Sequence, residues 1–376
     1  MASQEEVDEV VWRTPYDKLM RRPLVKPSTV SHQSATGLGT LNSLPADILV
    51  PTLESLDFQS LSRFAQTSAA ANNLVQSLPA YEQVMKHAAG PLSVLLKTGL
   101  LAQHSAASLY RALLDPGCIS CGEFGPFLFL LTAERVCGEC LSRKLIFRLG
   151  RQGEIERYFG LKEEHHALLP TLRTLPGRYP FEPQRLHIGF ECWSRVPQTL
   201  VSVKQAMELS LRLGLKWRHP VDPSKLEEPR VSSDFAWHSV PEGRNRTDFP
   251  SIFNFKLIPA MRDFWPNVFQ GLSHVRFPFV DGEGQADWGR WCQGCEYTRV
   301  LFMFDELPRE VEEQELKDAF GGCVATKFSA MASHLWSREG FNQHVKHCYG
   351  AGLLFNRWRK VHEEMKERGF RPKKQH

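Results

Sequence analysis

The spacing of apolar residues predicts a helical amino-terminal third and less regular structure further along the chain. From Leu41 to about Leu114, apolar residues recur at intervals of three and four with few breakers, as in amphipathic helices. Further helices are predicted over 200–214, ending at Gly214, over 308–322, ending at Gly321, and over 357–368. Residues 1–40 show no sustained period, so we expect a flexible lead-in there.

Residues 41–75 predict short helices with more apolar surface than they can bury among themselves. Pro45 fits the first turn of a helix, where its missing N–H is not needed. One apolar edge of that helix would carry Ile48, Leu49, Leu53 and Leu56. Asp57 fits the cap of a second helix, whose inner face would carry Phe58, Leu61 and Phe64. Such faces usually meet a partner; an ordinary helical hairpin with leucines in its core is the alternative.

The same stretch, over residues 41–87, resembles an F-box. The matching positions are Leu44, Pro45, Ile48, Leu49, Leu56, Leu61, Phe64 and Ser68. The resemblance implies a three-helix motif that binds the adaptor subunit of SCF-type ubiquitin ligases and, through it, the cullin scaffold. The residues that the resemblance implies bind the adaptor are Leu44, Pro45, Ile48, Leu49, Leu53, Leu56, Leu61 and Phe64.

Two positions depart from the F-box pattern. Pro51 lies where the first helix should continue, and it would remove a backbone hydrogen bond and crowd the carbonyl of Asp47. Ala71 stands where many F-boxes have tryptophan. Both departures bear on how tightly the adaptor would bind.

Four cysteines have the spacing of a zinc site: Cys118, Cys121, Cys137 and Cys140. Each Cys-x-x-Cys turn brings two sulfurs within reach of one ion, and Gly122 and Gly138 suit tight turns. The intervening residues predict a hairpin with strands within 125–131 and 134–136. Four thiolates close such a site, so the predicted zinc is structural. A redox pair would need a βαβ setting, which the sequence pattern does not indicate.

A second set, Cys292, Cys295, His344 and Cys348, could hold another zinc ion. His344 and Cys348 are four residues apart and are predicted to share one helical face. Phe341 could pack beneath the metal, whereas His347 is not expected to be a ligand. Because 48 residues separate the two halves, buried cysteines beside a surface histidine remain the alternative. The sequence therefore predicts one structural zinc ion and allows two.

The other chemistry-bearing residues form no catalytic pattern, so we expect no enzymatic activity. The glycines of 122–125 and 282–284 lack the Gly-Lys-Ser/Thr of a phosphate loop. Cys192 and Cys323 are expected to be small buried residues, and Asp305 and Glu306 to be solvated. The aromatic-rich middle could build a target surface, although core packing is the alternative for most of its tryptophans: Trp217, Trp237, Trp265, Trp288 and Trp291.

Composition and charge predict where the protein is located and indicate nucleic acid as a second class of partner. The acidic start and short apolar runs give no sign of secretion or membrane insertion, so a cytoplasmic or nuclear location is expected, where thiols stay reduced. The net charge is +4, and from Phe355 onward eight lysines and arginines face three glutamates. Such a basic tail can contact nucleic acid, although a solvated helix is the simpler interpretation.

These features predict a mainly α protein with small β elements, in which an F-box precedes a zinc-stabilised α+β region. The predicted segments are a lead-in (1–40), the F-box (41–87), a helical segment with the first zinc module (88–150), an aromatic-rich irregular region (151–291), a second zinc module (292–354) and a basic tail (355–376). The arrangement is similar to a group of fungal F-box proteins. It implies a substrate receptor with an unknown protein target; a nucleic-acid-binding zinc protein is the alternative.

Overall fold

A computed structural model describes residues 15–26, 37–179, 192–194, 196–216, 269–311, 328 and 331–367. It is mainly helical with small sheets, as the sequence predicts. The chain divides into two compact units. The first unit contains the described residues up to Trp288, and the second unit contains those from Gly289 onward.

The helices of the described chain have the following bounds: α1 Pro15–Arg21, α2 Ala46–Ser55, α3 Phe58–Phe64, α4 Ala69–Ser77, α5 Pro79–Thr98, α6 Ala106–Leu114, α7 Gly138–Arg143, α8 Gln152–Phe159, α9 Val203–Arg212, α10 Gln293–Met303, α11 Arg338–His344 and α12 Tyr349–Glu367. The helix predicted over 200–214 is found at Val203–Arg212, after residues 200–202 that belong to a strand, and Gly214 follows it in a left-handed conformation. The last helix begins earlier than predicted, at Tyr349. Most of the helix predicted over 308–322 lies outside the described residues.

The strands are short: β1 Phe127–Phe129, β2 Glu134–Val136, β3 Leu149–Arg151, β4 Thr171–Arg173, β5 Gly177–Tyr179, β6 Cys192–Ser194, β7 Thr199–Ser202, β8 His274–Arg276, β9 Phe279–Val280, β10 Ala286–Asp287, β11 Arg290–Trp291 and β12 Leu335–Trp336. The first unit contains three-stranded sheets in the orders β2-β1-β8 and β3-β7-β4, and the pairs β5-β6 and β9-β10. The pair β11-β12 belongs to the second unit. All these pairings are antiparallel.

Helices α2, α3 and α4 occupy the segment that resembles an F-box. The Asp57 side chain accepts the N–H of Ser60 at 2.8 Å and caps α3, as predicted. The Ser68 hydroxyl accepts the N–H of Ala71 at 3.0 Å and caps α4. Pro51 lies inside α2, which continues through it to Ser55. The helix therefore tolerates the proline with the loss of one backbone hydrogen bond.

The predicted lead-in contains a helix that the sequence pattern did not indicate. Tyr16 of α1 is buried, and its hydroxyl donates to the carbonyl of Leu272 at 2.9 Å. Helix α5 departs from helical geometry at Ala88, close to its internal Pro91. There α1 comes so near that a side chain on Gly90 would lie 3.0 Å from Met20. Tertiary packing on α5, rather than its own apolar period, therefore holds α1.

One buried histidine connects helix α3 to the strands that follow. The carbonyl of His104 accepts the N–H of Phe58, the first residue of α3, at 2.9 Å. The His104 ring donates from Nε2 to the carbonyl of Leu130, just after β1, at 2.7 Å. Burial lowers the pKa of His104, so the neutral ring with a protonated Nε2 suits this bond. Within the first unit, α3 and the β1–β2 hairpin thus share one hydrogen-bonded junction.

Among the described residues, no helix combines the length and the apolar composition needed to cross a membrane.

Replacing Pro51 with alanine tests the cost of the proline in α2. The new N–H can bond to the carbonyl of Asp47, so α2 should gain about 1 kcal/mol or more of local stability. Hydrogen exchange of the α2 amides should slow by about fivefold or more. The control, Ser55→Ala at the exposed end of the same helix, should change little. Unchanged exchange in Pro51→Ala would show that the proline costs the helix nothing.

Candidate metal centres

The four cysteines of the first cluster meet at the open end of the β1–β2 hairpin. Cys118 and Cys121 lie in the turn before β1, Cys137 follows β2 and caps α7, and Cys140 lies in the first turn of α7. Their sulfur atoms all lie within 4.8 Å of one another. The Sγ atoms of Cys121 and Cys137, on opposite sides of the hairpin, are 3.7 Å apart. The predicted set is therefore brought together completely.

Backbone geometry explains why this sequence places the sulfurs so closely. The N–H of Gly122 donates to the carbonyl of Cys118 at 2.8 Å, and Gly122 has a φ of 79°, which favours glycine. On the other side, the N–H of Cys140 donates to the Cys137 sulfur at 3.4 Å. The expectation for Gly138 is wrong, because this residue begins α7 and is not among the glycines with positive φ. The helix start itself turns the chain there.

The predicted strands of this module are confirmed as β1 and β2, which pair from Phe127↔Val136 to Phe129↔Glu134. The structure adds a third strand, β8, on the other edge of β1. Arg135 of β2 reaches the same distant segment, since its guanidinium donates to the carbonyl of Phe277 at 3.0 Å. The first module is thus part of the first unit's core and not an isolated finger.

The second cluster joins two parts of the second unit that are distant in sequence. Cys292 follows β11 and precedes α10, and Cys295 lies in the first turn of α10. His344 is the last residue of α11, and Cys348 immediately precedes α12. The Cys348 sulfur lies 3.7 Å from that of Cys292 and 3.8 Å from that of Cys295. The Nε2 atom of His344 lies 3.1 Å from the Cys295 sulfur.

The expectation that His344 and Cys348 share one helical face is wrong. Helix α11 ends at His344, a turn occupies 345–347, and Cys348 lies before the next helix. The N–H of Cys348 still donates to the carbonyl of His344 at 3.1 Å. This single hydrogen bond keeps the helical spacing of the two donors, so they converge although the helix is interrupted.

Close helix packing brings the two halves of this cluster together. Gly294 of α10 lies against the start of α12, where a methyl group would collide with the backbone of Ala351. A methyl group on Gly350 would likewise collide with the carbonyl of Gly294. Phe341 packs against the buried cysteines, as predicted. His347 is exposed and lies outside the cluster, also as predicted.

Crowding of the donors perturbs their acidity. Hydrogen bonds from Cys121 and the other thiols lower the pKa of Cys118, whereas the hydrogen bond to Cys118 raises the pKa of Cys137. The pKa of Cys292 is lowered and that of Cys295 raised in the same way. Burial lowers the pKa of His344, but hydrogen bonds to Cys292 and Cys348 outweigh it and raise the pKa to about 9. Without a metal ion, these shifts favour a thiolate in each cluster held by neighbouring thiols, whereas a bound cation would require every cysteine donor to be deprotonated.

The donor sets fit a tetrahedral metal ion such as zinc. A zinc–sulfur bond of about 2.3 Å gives a tetrahedron with an edge of about 3.8 Å, which matches the sulfur separations of 3.7–3.8 Å. A disulfide would need a separation of about 2.05 Å, and the seven cysteines of the two clusters are free. The two clusters, one of four cysteines and one of three cysteines with a histidine, could therefore each hold a metal ion.

The structure divides the eight predicted adaptor residues into surface and core. Leu44, Pro45 and Ile48 are exposed, and the exposed fractions are 39% for Leu44 and 55% for Ile48. Leu49, Leu53 and Leu61 are buried in the first unit, so they support the motif from within. Leu56 and Phe64 are half-buried. The surface residues lie at the start of α2, and the buried ones lie on its other face and in α3.

Other residues noted in the sequence have simpler roles where they are described. The loop 281–285 is the turn between β9 and β10, and its amides donate to Asp281 instead of forming a phosphate cradle. Asp305 and Glu306 are exposed, as expected for solvated carboxylates. Trp291 is 39% exposed. Cys323, Trp217, Trp237 and Trp265 lie outside the described residues, as does the side chain of Cys192.

Comparison of the chain with protein-family models, with curated proteins and with solved structures finds no match.

Metal stoichiometry tests both clusters at once. We expect two zinc ions per chain in protein purified without chelators, and Cys118→Ser or Cys292→Ser should each remove one. Structural zinc in small peptides contributes roughly 10–16 kcal/mol, so the Cys292 variant should speed hydrogen exchange in 292–295 and 344–350 and spare 118–140. A single zinc that persists in Cys292→Ser would mean that the second cluster binds no metal.

A matched pair of histidine variants tests which imidazole is the ligand. His344→Ala should lower zinc affinity at the second cluster by more than about 100-fold, since it removes a donor. His347→Ala, three residues away and exposed, should leave the affinity unchanged. Competition with a chromophoric chelator measures both constants. Equal losses in the two variants would contradict the assigned donor set.

Proposed function

We propose that this protein is the substrate receptor of an SCF-type ubiquitin ligase, which binds the adaptor through α2–α4. The observation that supports it best is the two-sided character of α2. Leu49 and Leu53 fasten one side of the helix to the core, while Leu44 and Ile48 present apolar side chains to solvent. Exposed apolar groups on a helix whose other side is packed into the core are suited to an apolar partner surface.

In this proposal the metal centres are structural. Four protein donors in each cluster leave no open position for a substrate, so a zinc ion held there would supply cross-links between chain segments and no reaction. The first cluster fastens the hairpin that is joined to α3 through His104. The second cluster fastens α10 to α12. We expect no catalytic activity of the chain itself, and the remaining surface would present a protein target to the ligase.

The alternative is a nucleic-acid-binding zinc protein. Arg357 and Lys360 are exposed on α12, and the residues after Glu367, which lie outside the described chain, add further positive charge. Binding through such residues releases counterions, so affinity for a random duplex should fall steeply between about 50 and 200 mM salt. Adaptor binding through Leu44 and Ile48 should be nearly independent of salt over the same range.

A double substitution at the exposed leucine just before α2 and the exposed isoleucine in its first turn tests the proposed function. Replacing Leu44 and Ile48 with aspartate would place two charges in an apolar interface and should weaken adaptor binding by about 30-fold or more. Titration of the full chain with purified adaptor–cullin complex gives the affinity, and zinc content confirms that both clusters remain loaded. Leu168→Asp, at another exposed leucine of the first unit, is the control. Wild-type affinity in the double variant would rule out this surface.

A further inference from the structure

An aromatic side chain, Trp336, packs against the second candidate metal centre without contributing a donor atom. The indole of Trp336 lies parallel to the imidazole of His344, with ring centroids 4.3 Å apart and an interplanar angle of 14°. The ring of His334 also contacts the indole in a T-shaped arrangement, with ring centroids 4.1 Å apart. His344 is thus in contact with the Cys295 sulfur through Nε2 and with a flat indole across its ring face.

The fold fixes Trp336 relative to both halves of the donor set. Trp336 pairs directly with Arg290 in the antiparallel β11–β12 pair, and Arg290 lies two residues before Cys292. The next residue, Ser337, caps α11 by accepting the N–H of Gly340 at 3.1 Å, and α11 ends at His344. The tryptophan is therefore held by the strand that leads to the first cysteine pair and by the helix that carries the histidine.

A histidine ligand binds strongly only when its ring plane points the nitrogen lone pair at the metal. Most proteins fix that plane through a hydrogen bond to the other ring nitrogen. A stacked aromatic ring can do the same, because rotation of the imidazole about its Cβ–Cγ bond would drive it into the indole. We propose that Trp336 is a positioning residue of the second metal centre, which holds the His344 ring in its metal-binding orientation. This inference does not depend on adaptor binding.

Zinc affinity of the full chain tests the proposal. Trp336→Ala and Trp336→Leu should each weaken zinc binding at the second cluster by about 10- to 100-fold, the usual effect of losing an outer-shell partner. Trp336→Phe keeps a flat ring and should stay within a few-fold of wild type. Trp291→Ala, on the paired strand but exposed, is the control and should have no effect. The first cluster should keep its affinity in every variant.

A double-mutant cycle separates positioning from general support of the fold. If Trp336 acts through the imidazole, Trp336→Ala should cause no additional loss of affinity in a His344→Ala background. With saturating cobalt(II) as a spectroscopic probe, Trp336→Ala alone should shift the visible absorption bands, because the imidazole coordinates at a changed angle. The proposal is overturned if the loss is the same in both backgrounds, if Trp336→Phe is as weak as Trp336→Leu, or if Trp336→Ala changes neither affinity nor the bands.

Discussion

The structure depends most on holding sulfur atoms only 3.7–3.8 Å apart in two largely buried clusters. Neighbouring thiolates repel one another, and the low dielectric of a protein interior increases that repulsion. A divalent cation removes the conflict and converts it into a cross-link between chain segments. The short strands and helices around each cluster contain few residues with which to stabilise themselves, so such a cross-link would compensate for a small core.

The two clusters hold their sulfur atoms equally close together, but their surroundings differ. The first cluster comes from one hairpin, but β8, Arg135 and His104 tie that hairpin to distant parts of the first unit. The buried core of the second cluster consists of Cys292, Cys295 and Cys348 together with Ala351. Loss of metal should therefore destabilise the first unit only locally and in part, and it should destabilise the second unit more completely. His104 also means that α3 and the first cluster cannot be treated as independent modules.

Sequence reasoning succeeded where the cause is local. Two Cys-x-x-Cys pairs fifteen residues apart, the cap at Asp57 and most of the helix predicted over 200–214 follow from short-range spacing. It failed where contacts between distant segments of the chain determine the structure. The addition of β8 to β1, the docking of Tyr16 under Leu272 and the stacking of Trp336 on His344 join residues that no periodicity relates. The sequence does contain a sign of the close contact between Gly294 and Gly350, because each is a small residue at the start of a helix. Only the structure shows that these two helix starts lie against each other.

X-ray absorption at the zinc edge of the purified full chain tests the central claim most directly, because it reports the donor atoms around the metal. Seven thiolates and one imidazole shared by two ions predict an average of about 3.5 sulfurs at about 2.3 Å and about 0.5 nitrogens per zinc. A shell dominated by oxygen or nitrogen, or cysteines joined in disulfides with no zinc present, would contradict the account of both centres.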